Sequence, residues 1–392
     1  LKAQFELVKR GGSSMNIFSK QLQQSANRHA RIHAIWGICQ LARKDNKHAA
    51  VLLPYLKDKD EEIRAQVAKW LGDIRYTAAG PALLELLKDS YSRARFFAAE
   101  ALGRIAYEPA IQPIIAMLQA NNDEDALLRH AGSLALARIG KSGPLRALSG
   151  NDSRAVRIAA VVALRRMSDA GITAFLSDKD EFVVTEAARA INDDLSIPAA
   201  LPVLGNLLNN TGFSNEALVR RMINVNLRVG TDSAMYNLLE YAQNEDRPLA
   251  MRLEAIEALG TWIKPSVLDR VDGRLRGAIN RDPAPARDMA GKPLLKLMMN
   301  KNAAVRLYAT KAVHKMQIKS ADPVLASLLK KDPDAGVRLA ALEALAGMKS
   351  DRIEEAIKQG LADKEKSVRV LGIDLLSKTP LAEELMLQLL SE

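Results

Sequence analysis

One pattern recurs along nearly the whole chain: a small or β-branched residue, Arg, two residues, Ala, two residues, then Ala-Leu-Gly or a close variant. It stands as IRAQVAKWLGD at 63–73, ARFFAAEALGR at 94–104, VRIAAVVALRR at 156–166, MRLEAIEALGT at 251–261 and VRLAALEALAG at 337–347, with weaker copies between. The arginines are Arg31, Arg64, Arg95, Arg129, Arg157, Arg220, Arg252, Arg306, Arg338 and Arg369, and Val184 takes the place of one. Successive spacings are 33, 31, 34, 28, 27, 36, 32, 54, 32 and 31 residues. A period kept over eleven units means stacked supersecondary units and excludes most other architectures.

Within each unit, apolar residues fall at i, i+3, i+4 and i+7, one stripe of a helix. An Asp-rich turn precedes it, as in KDKDEE, KKDPDAG and ADKEKS. Acidic residues there suit the helix N-terminus as caps and as charges facing the helix dipole. A second apolar segment follows, as in AAGPALLELLKD, AIQPIIAMLQA and ADPVLASLLKK. Pro near its start sits where a missing N–H does no harm. Neither helix buries its stripe alone, so the units must stack. The expected fold is an all-α solenoid of about eleven helical pairs over 1–392. Residues 5–10 and 381–390 are expected to form capping helices. The repeated arginines are expected to pair with an Asp of a neighbouring turn.

Composition adds limits. Aromatics are 4% of a chain that is 48% hydrophobic, as suits close helix packing. A lone Cys39, on an apolar face, forbids an internal disulfide and reads as a buried, inert thiol. No run of about 18 apolar residues stands in the sequence to span a membrane. The net charge of +10 is uneven: residues 1–50 carry +7, 301–350 carry +5 and 101–250 carry −2.

Motifs for chemistry are sparse. His29 and His33, four apart, lack a third ligand, so no metal is assigned. The sequence holds neither a phosphate-binding Gly-rich loop nor a G-x-S-x-G elbow. The adjacent carboxylates Asp193 and Asp194 read as a solvated face. The central second helices, such as AIQPIIAMLQA, are uncharged and make a poor track for phosphates, which argues against nucleic acid. No catalytic residue, cofactor or metal is assigned to this chain.

The period breaks once, between Arg252 and Arg306. The extra residues form an irregular insertion at about 263–293, rich in Pro, Gly and basic residues, with Asp269, Asp272, Asp282 and Asp288 offsetting the charge. Loops that interrupt a regular scaffold often carry function. Trp262, Lys264, Arg270, Arg274 and Arg276 are therefore the candidate binding surface. A structural reading of the same stretch is a longer second helix with Trp262 as core.

The repeat resembles the HEAT repeat. That resemblance implies a first helix on the convex side of each unit and a second on the concave side. HARIHAIWGICQLAR at 29–43, preceded by LKAQFELVKRG, and ALGTWIKPSVLDRVDGRLRG at 258–277 resemble the HEAT segment of large exported bacterial proteins with a sugar-dehydrogenase-like β-propeller and a cytochrome-c-type domain. This chain has no propeller and no C-x-x-C-H, so neither oxidoreductase activity nor haem is implied for its own residues. The first residue is Leu1, which suggests an excised or processed segment. The resemblance implies a periplasmic or exported setting, and a non-catalytic scaffold that positions sister domains or a protein partner. An alternative is a DNA-binding HEAT-like protein of the alkylpurine DNA glycosylase type. A phycobilin-lyase type would need an acidic, aromatic pocket that three Trp residues, two inside repeat motifs, do not suggest.

Overall fold

A computed structural model describes residues 1–378 and Ala382. The second proposed capping helix, 381–390, therefore lies outside the described residues apart from Ala382. The chain is an all-α solenoid. The only β pairing among the described residues is a single antiparallel bridge between Leu268 and Leu275. No helix among them is long and apolar enough to cross a membrane.

The chain divides into two compact units. The first comprises residues 1–191 and 196–198. It holds α1 (Lys2–Lys9), α2 (Met15–Gln24), α3 (Arg28–Ala42), α4 (Glu61–Asp73), α5 (Gly80–Leu86), α6 (Ser92–Arg104), α7 (Ile111–Asn121), α8 (Ala126–Ile139), α9 (Ser142–Arg146), α10 (Arg154–Met167) and all but the last residue of α11 (Glu181–Asn192). Two second segments, Asn46–Lys57 and Ala170–Ser177, wind as 3₁₀ rather than α. The first has Pro54 in its interior, and the second is only eight residues long. Helix α1 starts three residues before the expected position.

The second unit comprises residues 192–195 and the described part of 199–392. It holds α12 (Leu201–Asn210), α13 (Glu216–Val229), α14 (Asp232–Gln243), α15 (Leu249–Gly260), α16 (Pro283–Leu297), α17 (Ala303–Met316), α18 (Asp322–Lys331), α19 (Ala335–Gly347), α20 (Ile353–Leu361) and α21 (Lys366–Leu376).

The repeated motif has a physical reading at each position. Its Ala residues, such as Ala68, Ala98, Ala341 and Ala344, are fully buried. Its Gly marks the helix crossing: a Cβ on Gly72 would lie 2.6 Å from the Cα of Ala101, and one on Gly103 2.6 Å from that of Ala135. Only a hydrogen at these two points lets α4 meet α6 and α6 meet α8 so closely. Turn carboxylates cap the helices. Asp60 accepts the N–H groups of Glu62 and Ile63, and Asp334 accepts that of Val337.

The repeat arginines tie each turn to the next. Arg64 donates Nε and Nη2 to Asp89 at 2.6 and 2.8 Å, and Nη1 to the carbonyl of Asp58 in its own turn. Arg31 reaches Asp58, Arg157 reaches Asp178, Arg306 reaches Asp332 and Arg338 reaches Asp363. Each of these Asp residues also accepts the N–H two residues on, which fixes its carboxylate in the turn. Among the described residues, Arg95 and Arg369 hold carbonyls of their own turns and no Asp of a following one. Arg129 lies 3.6 Å from Asp123, and buried Arg252 donates Nε to the carbonyl of Ala242. Arg220 meets Glu216 and Glu254, whereas its neighbour Arg221 is buried in a bidentate pair with Asp193. Asp193 is thus not on a solvated face: it is buried because Arg221 neutralises it.

Candidate functional site

The stretch between α15 and α16 is not a longer second helix. Residues 263–282 form an irregular loop, and α16 already begins at Pro283. Backbone hydrogen bonds shape the loop. The N–H of Arg281 donates to the carbonyl of Ile263 at 2.9 Å and closes its base. Nearer the tip, the N–H of Arg276 donates to Val267 and that of Asp269 to Arg274, both at 2.8 Å. Gly273 turns the tip at φ +71°, a left-handed conformation that favours glycine.

Trp262 is buried, 3% exposed, with the Arg281 guanidinium 4.7 Å from its ring centroid. Arg281 also donates to the carbonyls of Trp262 and Leu227, pinning the loop base to the end of α13. Burial pushes its pKa down, and the nearby Arg228 pushes it further.

The tip is held by Asp269, which is buried. One carboxylate oxygen accepts the N–H groups of Val271 and Asp272. The other accepts from Arg276 Nε at 3.0 Å and Asn224 Nδ2 at 2.9 Å. Burial alone would raise the Asp269 pKa, but these four donors outweigh it and hold the pKa below the usual carboxylate value. Arg276 continues to the carbonyl of Asp193 at 2.6 Å and to Asp272 at 3.0 Å. Arg274 donates to the carbonyl of Asp193 and the carboxylate of Asp194. Arg270 bridges Glu254 and Glu257 on α15; burial works against its charge, and the two carboxylates more than offset it. Arg228 donates to the carbonyl of Leu268, while its Nε and Nη1 are buried without a protein partner.

The five sequence-selected residues thus occupy different places. Trp262 is core, and Arg270 and Arg276 are spent on internal ion pairs. Arg274 is more exposed than either yet still paired. Lys264 is exposed. The loop also turns three aliphatic side chains outward: Leu275 is 75% exposed, Leu268 50% and Val267 43%. The basic residues attract notice in the sequence because charge is easy to count. The signal for the others is subtler: aliphatic residues flanking a D-x-x-D-G turn, with no helical period to bury them.

Elsewhere, His33 Nδ1 lies 2.7 Å from Gln4 Oε1, with its ring edge-on to Trp36. No group of three His, Cys, Asp or Glu among the described residues could hold a metal ion. Cys39 is fully buried.

The match to a family model agrees with this architecture. The family model for HEAT repeats matches residues 15–103, 49–137, 80–165 and 291–377, together more than half of the chain. Residues 166–290, which include Val184, the Arg221 pair and the loop, lie outside those matches. Among solved structures, an engineered protein is similar over 93% of this chain and 98% of its own, at 19% identity and a TM-score of 0.36. Kap121p is similar over 93% of this chain and 49% of its own, at 12% identity and a TM-score of 0.42. A search of curated proteins found no match. With the Gly crossings, the Arg–Asp ties and the matched repeats taken together, the chain belongs to the HEAT-repeat family.

Proposed function

We propose that this chain is a non-catalytic interaction scaffold, and that it docks a protein partner, or a sister domain of the same polypeptide, through the outward edge of the 263–282 loop. The supporting observation is the combination of three exposed aliphatic side chains, Val267, Leu268 and Leu275, with a backbone locked beneath them by buried ion pairs. An apolar edge on a rigid mount loses little entropy on binding. Lys264, and Arg274 on its two carboxylates, frame that edge. The other basic residues serve the loop itself, so replacing Arg270 or Arg276 would loosen the mount rather than remove a contact.

The test uses a photo-crosslinking residue at Leu275, and in parallel at exposed Leu127, in cells producing the native protein. A discrete adduct at position 275 only, abolished by Leu268→Ser with Val267→Ser, is the expected result. Equal or absent adducts at both positions would remove the loop from consideration.

The two stretches at 29–43 and 258–277 further support placing this scaffold in an exported bacterial protein with a propeller and a haem domain. That parentage, and with it a periplasmic setting, rests on their resemblance alone. The native protein's intact mass and visible spectrum test it. A mass well above 42.8 kDa with a haem Soret band supports it; a mass near 42.8 kDa without one refutes it.

A further inference from the structure

In four repeats an arginine makes one and the same contact. Arg64, Arg157, Arg306 and Arg338 each donate Nη1 to carbonyls six and five residues earlier. Each donates Nε and Nη2 to an Asp of the following turn. Arg95 is pinned in the same way, with Nη1 at 2.6 Å from the carbonyl of Asp89 and 3.1 Å from that of Ser90. Among the described residues, however, no carboxylate pairs with it. By spacing its partner should be Asp123, six residues before Arg129, just as Asp89 stands six before Arg95. The turn is built differently here. Asn122 and Asp123 are left-handed, at φ 41° and 63°, and Asp123 faces Arg129 instead.

A cavity of about 650 Å³ lies beside Arg95, a volume in the range of ligand sites. Leu87, Pro113, Met117 and Leu128 give it apolar walls, and exposed Lys88 adds a second cation. Its acidic residues are mostly committed. Asp89 is paired with Arg64, and Asp125 caps α8 by accepting the N–H groups of Leu127 and Leu128. Glu124 is exposed.

We infer that this cavity receives one acidic side chain, flanked by apolar residues, from an extended segment of a protein partner, and that its carboxylate takes the Nε/Nη2 fork of Arg95. The partner thereby completes the tie that the chain makes for itself at the four other arginines. A guanidinium fork matched to a carboxylate is directional and strong, and the apolar walls reward side chains on either side of it. This inference rests on the scaffold reading but concerns a surface separate from the 263–282 loop.

The whole chain, labelled with ¹³C at the methionine methyls, is titrated with a capped pentapeptide holding one Asp between two Leu residues. Met117→Leu assigns the reporter signal. The Met117 methyl should shift on titration, and the peptide with Asn in place of Asp should bind about tenfold more weakly. Arg95→Gln should weaken the Asp peptide by a similar factor. Ala120→Trp, which narrows the cavity and leaves Arg95 intact, should do so as well, so a folding defect in one variant cannot decide the matter. Glu124→Gln should tighten binding. Equal affinity for the Asp and Asn peptides would overturn the inference. So would hexanoate binding as tightly as the peptide, since that would assign the cavity to a small acid. An unmoved Met117 signal with the Leu275 crosslink intact would sink this site alone; loss of both would sink the scaffold reading too.

Discussion

The turn-to-turn arginine ties and the 263–282 loop use the same bond, a guanidinium on a carboxylate, yet differ in where the partners come from. In the tie from Arg64 to Asp89, the remaining partners are a carbonyl six residues back and an N–H two residues on from the Asp. Everything lies within one repeat step. In the loop, Asp269 binds Asn224, 45 residues away, and Arg276 binds the carbonyl of Asp193, 83 residues away. The first kind of contact is periodic and can be copied unit by unit. The second is built once, from residues of three different segments. Its energetic stakes are higher than those of the first tie in the ladder, because Arg31 and Asp58 keep about a tenth of their side-chain surface in water whereas Asp269 keeps none.

That difference sets the largest predicted effect. Asp269→Ala leaves Arg276, 8% exposed at its side chain, with Asp272 as its one remaining carboxylate, removes an acceptor from Asn224 and strips the N–H groups of Val271 and Asp272 of theirs; it should lower unfolding free energy by about 3–5 kcal/mol. Asp58→Ala leaves Arg31 able to hydrate and should cost about 1–2 kcal/mol. Denaturant unfolding of the two variants checks this. Equal losses would erase the distinction between local and assembled ties.

Two of the three tryptophans, Trp262 and Trp70, sharpen the same contrast. Trp262 is enclosed under Arg281, so Trp262→Ala should cost about 3–5 kcal/mol. Trp70 has the motif position that reads as core, but it is half-buried, with Arg43 at 5.4 Å and Lys69 at 4.4 Å from its ring. Trp70→Ala should cost about 2 kcal/mol, part of it cation–π attraction. Melting curves that rank Trp70 above Trp262 would reverse the assignment of core.

These residues also show what a sequence can reveal here. The ladder positions and the Gly crossings are legible because a helix repeats its contacts every unit; eleven copies average out the noise at any one. Where the copy number is one, that averaging fails. Arg220 carries the motif spacing, but Arg221 finds Asp193, because pairing in a non-repeating turn is decided by geometry a period cannot encode. Likewise the loop's basic residues look available in sequence, since several of their partners sit outside the loop: Arg270 is held by Glu254 and Glu257, Arg274 by Asp194, and Arg276 by the carbonyl of Asp193 as well as by Asp269 and Asp272. The exposure of Val267, Leu268 and Leu275 appears only in the folded loop.

Acid should weaken both regions. The pKa values of Asp58, Asp89, Asp363 and Asp269 are lowered in the folded chain. Such groups stabilise the fold above their unfolded pKa of about 4, and the contribution is lost as pH falls through the lower folded value. At pH 6, Asp269→Asn should be less stable than the parent chain. Below about pH 4 that gap should narrow, because the parent must then protonate a carboxylate that the variant does not have. Unfolding free energies measured from pH 6 to pH 2 give the comparison. A gap that stays constant would mean that Asp269 contributes by shape and not by charge.

The smallest stability effect belongs to the loop's outer edge. Leu275 is 75% exposed, so Leu275→Ser should leave stability within about 0.5 kcal/mol. That near-zero value carries information. A leucine three-quarters exposed above the Asp269 network adds little to folding, and docking is the use that the proposed function gives it. If Leu275→Ser instead lowered the melting temperature by several degrees, the edge would be packing against the chain itself. The docking reading of the loop would then lose the observation that supports it.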